Sequence, residues 1–400
     1  MFLHLITFIC LVVICPTVLI SSAWGNEGEP SFDLTDLKRE NFLDLKAYQW
    51  RDDQNLTWQK HHNGWRSLGG STSYHYNYIH SQVKLRQQLS QHSAFRFKLE
   101  RESFFFQQPM NQEQIALDFQ LNPTSSFSLL GAPLYRKAES DLGFGVTLGH
   151  WPTRYIQVEH MFIDPYFNEK NQTDASRFER MPSRNRVELR QPWGDWSLSA
   201  QWQEDSPSIQ SWPDQRQFYF HQQSAKLRLA YQLSHSRRAV LQSHYFYRAK
   251  DLQTSTSQGT QGMQHTAYDL FWVTERPILT QTIGTRYDLF TNQRTHNQTP
   301  QEQFDESMKT WQIYHLVLYQ NTDRSRFEYG LYVGNASLSR DYLSLPALNS
   351  ESNGTEAKLK LAWEYSLFPN SQFSLVSTFN LDGLAQQLWD GGAMSFQSTW

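Results

Sequence analysis

The feature that most constrains this chain is a period-two alternation of apolar and polar residues, recurring with almost no helical stretch between repeats. Phe95-Arg-Phe-Lys-Leu-Glu sets Phe95, Phe97 and Leu99 against Arg96, Lys98 and Glu100. Ile115-Ala-Leu-Asp-Phe-Gln-Leu, Trp196-Ser-Leu-Ser-Ala-Gln-Trp and Lys226-Leu-Arg-Leu-Ala-Tyr-Gln-Leu repeat the device. So do Arg326-Phe-Glu-Tyr-Gly-Leu-Tyr-Val and Lys358-Leu-Lys-Leu-Ala-Trp-Glu-Tyr-Ser-Leu. In an extended strand successive side chains point to opposite faces, so each segment carries one apolar and one polar face. Many such segments in series predict an all-β, antiparallel architecture.

The connections discriminate between a sandwich and a barrel. Short polar turns are expected at Ser90-Gln-His-Ser, Asn122-Pro-Thr-Ser, Trp151-Pro-Thr, Pro192-Trp-Gly-Asp, Ser234-His-Ser, Thr274-Glu-Arg-Pro, Asn321-Thr-Asp and Phe368-Pro-Asn-Ser. Longer polar connections are expected near 61–70, 107–111, 132–140, 164–183, 205–216, 250–262, 293–306, 337–354 and 384–390. Short turns alternating with long loops are the pattern of a transmembrane β-barrel with its turns on the periplasmic side. Seventeen connections predict a transmembrane antiparallel barrel of 18 strands, with 16 as the alternative count. Mean hydropathy is −0.64 and no apolar run beyond the N-terminus nears the ~18 residues of a spanning helix, neither of which excludes a barrel. Aromatics make up 15% of the chain, and two interfacial girdles account for such an excess in a hydrophilic protein.

Both ends of the chain fit export and insertion. Residues 1–25 read as a secretory signal, with an apolar core from Phe2 to Ile20 and Ala23-Trp24-Gly25 supplying the small residues of a cleavage site. Both cysteines, Cys10 and Cys15, fall inside this segment, so no disulfide, thiol nucleophile or Cys-ligated metal is expected after cleavage. Residues 26–41 read as a short periplasmic segment, and 42–400 as the barrel. At the other end Met394, Phe396 and Trp400 fall on one strand face, a pattern that suits a closing strand and its assembly signal.

If the apolar face meets lipid, the polar face lines the interior. The expected lining is Lys84, Arg86, Arg96, Lys98, Arg184, Arg186, Arg190, Lys226, Arg228, Arg286, Arg326, Lys358 and Lys360. Interleaved with it are Glu100, Asp118, Glu159, Glu188, Asp288, Glu328 and Glu364. The basic excess favours anionic solutes, and Arg184, Arg186, Arg190, Lys226 and Arg228 are expected to form one patch, partly neutralised by Glu188. Tyr74, Tyr76 and Tyr78 could form an aromatic slide for sugar rings, or belong to a girdle.

The signal segment, the 18 alternating strands, the aromatic end and an Arg-rich inner wall (Arg184-Asn-Arg-Val-Glu-Leu-Arg190, Arg324-Ser-Arg-Phe-Glu-Tyr329) resemble bacterial outer-membrane porins. Alginate-export and other carbohydrate-selective barrels are nearest in character. The resemblance implies an outer-membrane location. Its implied partners are lipid and lipopolysaccharide, the barrel-assembly machinery, and small solutes or polysaccharide.

Net charge of −3 gives no reason to expect nucleic acid. There is no G-x-S-x-G, P-loop or H-E-x-x-H motif, and His61-His62, the one adjacent His pair, sits in an expected loop; neither enzyme activity, metal nor cofactor is expected. The leading expectation is a passive channel for small or polymeric anionic or sugar-like solutes. The alternatives are a non-conducting barrel that binds surface polysaccharide or a protein partner, and an outer-membrane hydrolase.

Overall fold

The computed structural model describes residues 63–72, 77–104, 110–131, 142–150, 153–162, 177–180, 182–297, 303–381 and 389–399. The expected signal segment, the segment 26–41, the first part of the expected barrel (42–60), the His61-His62 pair, Tyr74, Tyr76 and Trp400 lie outside the described residues.

The strands are β1 (Gly64–Thr72), β2 (Asn77–Ser90), β3 (Ser93–Phe104), β4 (Met110–Asn122), β5 (Ser125–Gly131), β6 (Leu142–His150) and β7 (Arg154–Phe162). They continue with β8 (Arg177–Arg180), β9 (Ser183–Trp193), β10 (Trp196–Ser211), β11 (Gln217–Ser234), β12 (Arg237–Gln253) and β13 (Gln258–Arg276). Completing the wall are β14 (Leu279–His296), β15 (Phe304–Thr322), β16 (Ser325–Tyr342), β17 (Ser350–Phe368), β18 (Ser371–Asn380) and β19 (Trp389–Thr399). Every pairing is antiparallel. Strands β8 and β9 meet different parts of β10, Ile209–Ser211 and Trp196–Asp205, so they are two halves of one stave and the wall has 18. Strand β19 pairs with β1 from Gly64↔Thr399 to Thr72↔Gly391, which closes the sheet and removes both edges.

All eight expected short turns fall between paired strands. They gather at one rim, where turn carbonyls accept backbone N–H groups from the neighbouring hairpin: Gln232 to Asp195, Glu275 to Ser236, Gln320 to Ile278, Ser366 to Arg324 and Thr399 to Asn370. Gly194 takes φ +56°, the left-handed conformation a two-residue hairpin turn favours.

Two expectations are corrected. The segment 61–70, expected as a loop, contains most of the closing strand β1. Its Ser67, Gly69 and Gly70 give almost no hydrophobic alternation, yet neighbours on both sides supply every backbone partner. The long connections are also shorter than expected: 254–257 replaces 250–262, 343–349 replaces 337–354, and 212–216 replaces 205–216. Staves β10 to β17 run to 16–19 residues, where a tilted span needs ~9–11. Beyond the membrane both faces of a strand meet water, so the alternation fades although the hydrogen-bond ladder continues.

The distribution of side chains is inverted relative to a soluble fold. On one face Leu227, Leu241, Leu270, Ile283, Ile313, Leu331, Leu361 and Leu375 are exposed. On the other, Asp288, Asn292, Arg294, His265 and Glu159 are buried. Aromatics flank the apolar band. Toward the turn rim stand Trp193, Trp196, Tyr231, Trp272, Tyr319 and Phe327, with Trp196 and Tyr231 rings 4.6 Å apart. Farther up stand Trp202, Tyr268, Tyr287 and Trp311. Tyr319 and Trp311 are eight residues apart on β15, which is ~26 Å of strand and roughly 20 Å of membrane depth at ~40° tilt. A closed sheet with an apolar exterior, two aromatic girdles and short turns at one rim is an outer-membrane barrel.

The closing seam carries a testable contact. Met394 and Phe396 share the outward face of β19, and the Phe396 ring lies 5.3 Å from that of Trp65 on β1. Phe396→Ala removes this ring contact from a seam whose upper half pairs Gly70, Ser71 and Thr72 with Ala393, Gly392 and Gly391. The expected result is a lower yield of the compact, heat-modifiable species on unboiled gels, measured beside Phe379→Ala; equal yields would show that the seam closes on backbone pairing alone.

Candidate functional site: the interior face

The register places all thirteen basic candidates on one face. Arg86 lies opposite Arg96, Lys84 opposite Lys98, Arg190 opposite Ser199 and then Arg228, and Lys226 opposite Gln201. Arg286 lies opposite Asp269, Arg326 opposite Glu364, and Lys358 and Lys360 opposite Tyr332 and Gly330. Glu188 and Glu328 share that face, as does Glu100 by backbone register.

This face is the concave one. Strands β3 and β7 are separated by three intervening strands, a path of ~19 Å along the wall at ~4.8 Å per step. The Arg96 guanidinium nevertheless comes within 3.9 Å of Glu159 on β7. Side chains so far apart along a sheet can meet only on the inside of a strongly curved wall.

Glycines on the inward face of β6 make room for this contact. A Cβ at Gly145 would lie 3.1 Å from Glu159 Cγ and 3.5 Å from Ser128 Cβ. In the space left, Arg96 donates to Asp118 at 2.5 and 2.8 Å and to Ser128 Oγ at 3.3 Å, while Ser128 Oγ donates to Asp118 at 2.6 Å. Glu159 is also 3.9 Å from Arg186 and accepts from Gln157 at 2.7 Å. Arg186 donates to Glu188 at 2.8 Å, and Glu188 accepts a second bond from the Tyr155 hydroxyl. Arg184 holds Asp205 at 2.6 and 3.1 Å. The result is a ladder of ion pairs from β3 to β9, with the Arg184–Asp205 pair beside it between β9 and β10.

A second network braces the tall wall. Asp288 accepts from Arg286 at 2.8 and 3.0 Å and lies 3.0 Å from His265 Nε2. Arg340 donates to Glu306 at 2.5 Å, Tyr314 donates to Asp269 at 2.7 Å, and Lys360 pairs with Glu328 at 2.8 Å.

The expected patch therefore divides. Arg184 and Arg186 are held in these ion pairs. Arg228, nearer the turn rim, has Arg190 and Arg238 as its charged neighbours, and Arg238 also meets Glu275 at 2.9 Å. Asp205, Glu306 and Arg340 were hidden from sequence reasoning because they fall in 205–216, 293–306 and 337–354, segments that look like loops. Asp205 carried one weak signal: it continues the inward period of Ser199, Gln201 and Gln203. Met394 and Phe396, the described members of the expected assembly signal, stand on the opposite, outward face.

No protein-family model matches the chain, and no curated protein matches it. Solved structures similar to it include a loop-deletion mutant of OmpT, an outer-membrane protein of Vibrio cholerae, at 10% identity and TM-score 0.40, covering 84% of this chain and 97% of that one. OpdQ of Pseudomonas aeruginosa is similar at 8% identity and TM-score 0.42, covering 84% and 96%. OccAB3 of Acinetobacter baumannii is similar at 10% identity and TM-score 0.40, covering 84% and 98%. With values this low, the barrel rests on its own strand pairing and inverted faces.

Proposed function

We propose that the protein is a passive outer-membrane channel whose interior favours anionic or sugar-like solutes. The observation that carries this reading is the Arg96–Glu159 contact between non-adjacent strands, which makes the charged face the interior. The lumen-lining role of the basic residues follows from it. The acids found in these ion pairs neutralise Arg96, Arg184 and Arg186, so those side chains brace the wall. Selectivity then falls mainly to Arg228 near the turn rim, whose charged neighbours include Arg190 and Arg238. A low-dielectric wall focuses the field of such a cluster and concentrates anions near it.

Single-channel recording in a potassium chloride gradient tests this. Wild type is expected to reverse on the anion-selective side, and Arg190→Glu with Arg228→Glu to shift reversal toward cations. A cation-selective wild type, or a reversal potential the double variant leaves unmoved, would contradict it. One observation favours a second reading, a non-conducting barrel that binds polysaccharide or a protein: Asp288, Asn292 and Arg294 are at most 1% exposed, so the interior is closely filled beside β14. Absence of any conductance would select that reading.

A further inference from the structure

We infer that a recess in the interior wall at the turn rim is a binding site for a small hydroxylated oxyanion. This rests on the reading that the charged face is a water-filled interior, but not on conduction.

The recess has a volume of about 220 Å³, room for roughly seven waters at ~30 Å³ each, or for one six-carbon acid. It exists because inward positions of β3, β5 and β6 beside it carry small side chains or none: Ala94, Ser126, Thr147 and Gly149. Gly149, at φ +102°, would set a Cβ against the Arg154 carbonyl, so this part of the wall cannot carry a side chain unchanged.

Two guanidiniums enter the recess from directly paired positions, Arg86 on β2 and Arg96 on β3. Like charges placed opposite each other across strands repel. Among the described residues that line the recess Asp118 is the single acid, and it engages Arg96 bidentately. Glu159 also lies 3.9 Å from Arg96, but it is shared with Arg186 at 3.9 Å. Lys84, Arg186 and Arg190 stand on the same face nearby together with Glu188, opposite Gln157, so among the described residues basic side chains outnumber acidic ones around the recess. A guanidinium presents a planar fork of donors suited to a carboxylate or phosphate.

The rest of the lining selects for hydroxyls. Gln88, Gln120 and Gln157 bring amides, Ser126 and Thr147 bring hydroxyls, and His92 and His150 stand at the rim in the turns. That mixture of donors and acceptors, on a lining more polar than apolar, fits a polyhydroxylated anion better than a lipid tail or an aromatic solute.

The test uses the full-length protein in detergent, titrated calorimetrically with potassium gluconate, with sorbitol as its uncharged counterpart, and with inorganic phosphate. Saturable gluconate binding is expected, with none for sorbitol. Arg86→Gln should weaken it at least tenfold, and Lys309→Gln, on the outer face, should not. Ser126→Leu fills the recess without touching a charge and is expected to act like Arg86→Gln should that variant fail to show the heat-modifiable folded band. Gluconate bound at least tenfold tighter than phosphate supports a hydroxylated carboxylate as occupant. Equal affinities, both lost in the variants, support the oxyanion site with phosphate as occupant. No saturable binding of either anion, equal binding of sorbitol, or binding untouched by both variants would overturn the proposal. Binding is read without current: a barrel that binds gluconate yet never conducts removes the channel and keeps the site, and one that conducts without binding removes the site alone.

Discussion

Replacing Asp288 with alanine is expected to cost on the order of 3–5 kcal/mol of barrel stability, read as the urea midpoint of the folded band on unheated gels. The size follows from burial. Asp288 is 1% exposed and holds both the Arg286 fork and His265 Nε2, with the Arg286 side chain itself only 15% exposed. An ion pair in open water contributes ~0–1 kcal/mol, so its loss would hardly register. Here the carboxylate's departure leaves a guanidinium in a poorly hydrated interior, and the penalty is that of a buried, uncompensated charge. Asp288→Asn should fall between, since it keeps an acceptor and loses the charge. A cost below about 1 kcal/mol for Asp288→Ala would mean that water fills the interior around β14.

The second large effect is on the outer face. Leu375 is 46% exposed, lies between Trp363 and Met394 on paired strands, and stands five residues from the turn at Asn370. Five residues of a strand tilted ~40° rise roughly 13 Å, about half of the ~25 Å apolar band. Leu375→Arg is therefore expected to cost ~2–4 kcal/mol. Gln201→Arg, on the interior face and between Glu188 and Lys226, should cost less than about 1 kcal/mol. Refolding into lipid vesicles from urea measures both. Equal costs at the two positions would mean that the face assignment is wrong.

How much could be read from residues alone depended on where the membrane lies. Within the apolar band a strand has one oily and one wet face, so Phe95 to Glu100 and Lys358 to Leu367 announce both their period and their facing. Two-residue turns announce themselves through Pro, Asn, Gly and Ser. Above the band both faces are wet, and segments such as 250–262 look like loops although most of their backbone is in the ladder. Strand β1 fails for a different reason: Gly69, Gly70 and Ser71 have nothing to alternate, and their place is fixed by β19 and β2. The site shows the same division. Basic residues in alternating strands were legible, as were acids such as Asp118 and Glu159, while Asp205 and the Arg340–Glu306 pair lay in stretches without alternation. The approach of Arg96 to Glu159 depends on wall curvature and on Gly145, which no single-strand pattern encodes.

The central claim is that successive residues of each stave alternate between lipid and an aqueous interior. The only cysteines in the chain are Cys10 and Cys15, so single cysteines placed in the barrel report cleanly once the N-terminal segment is removed or its two thiols are replaced. Strand β17 offers six tests within seven residues, with Lys358, Lys360 and Glu364 on the interior face and Leu359, Leu361 and Trp363 on the outer one. Each is changed to Cys, and the protein in lipid vesicles is treated with a charged, membrane-impermeant thiol reagent or with a lipid-soluble maleimide. The expected result is strict alternation: the charged reagent labels positions 358, 360 and 364, and the lipid-soluble one labels 359, 361 and 363. Inverted alternation, or uniform labelling of all six by the charged reagent, would contradict a membrane-spanning barrel with a water-filled interior.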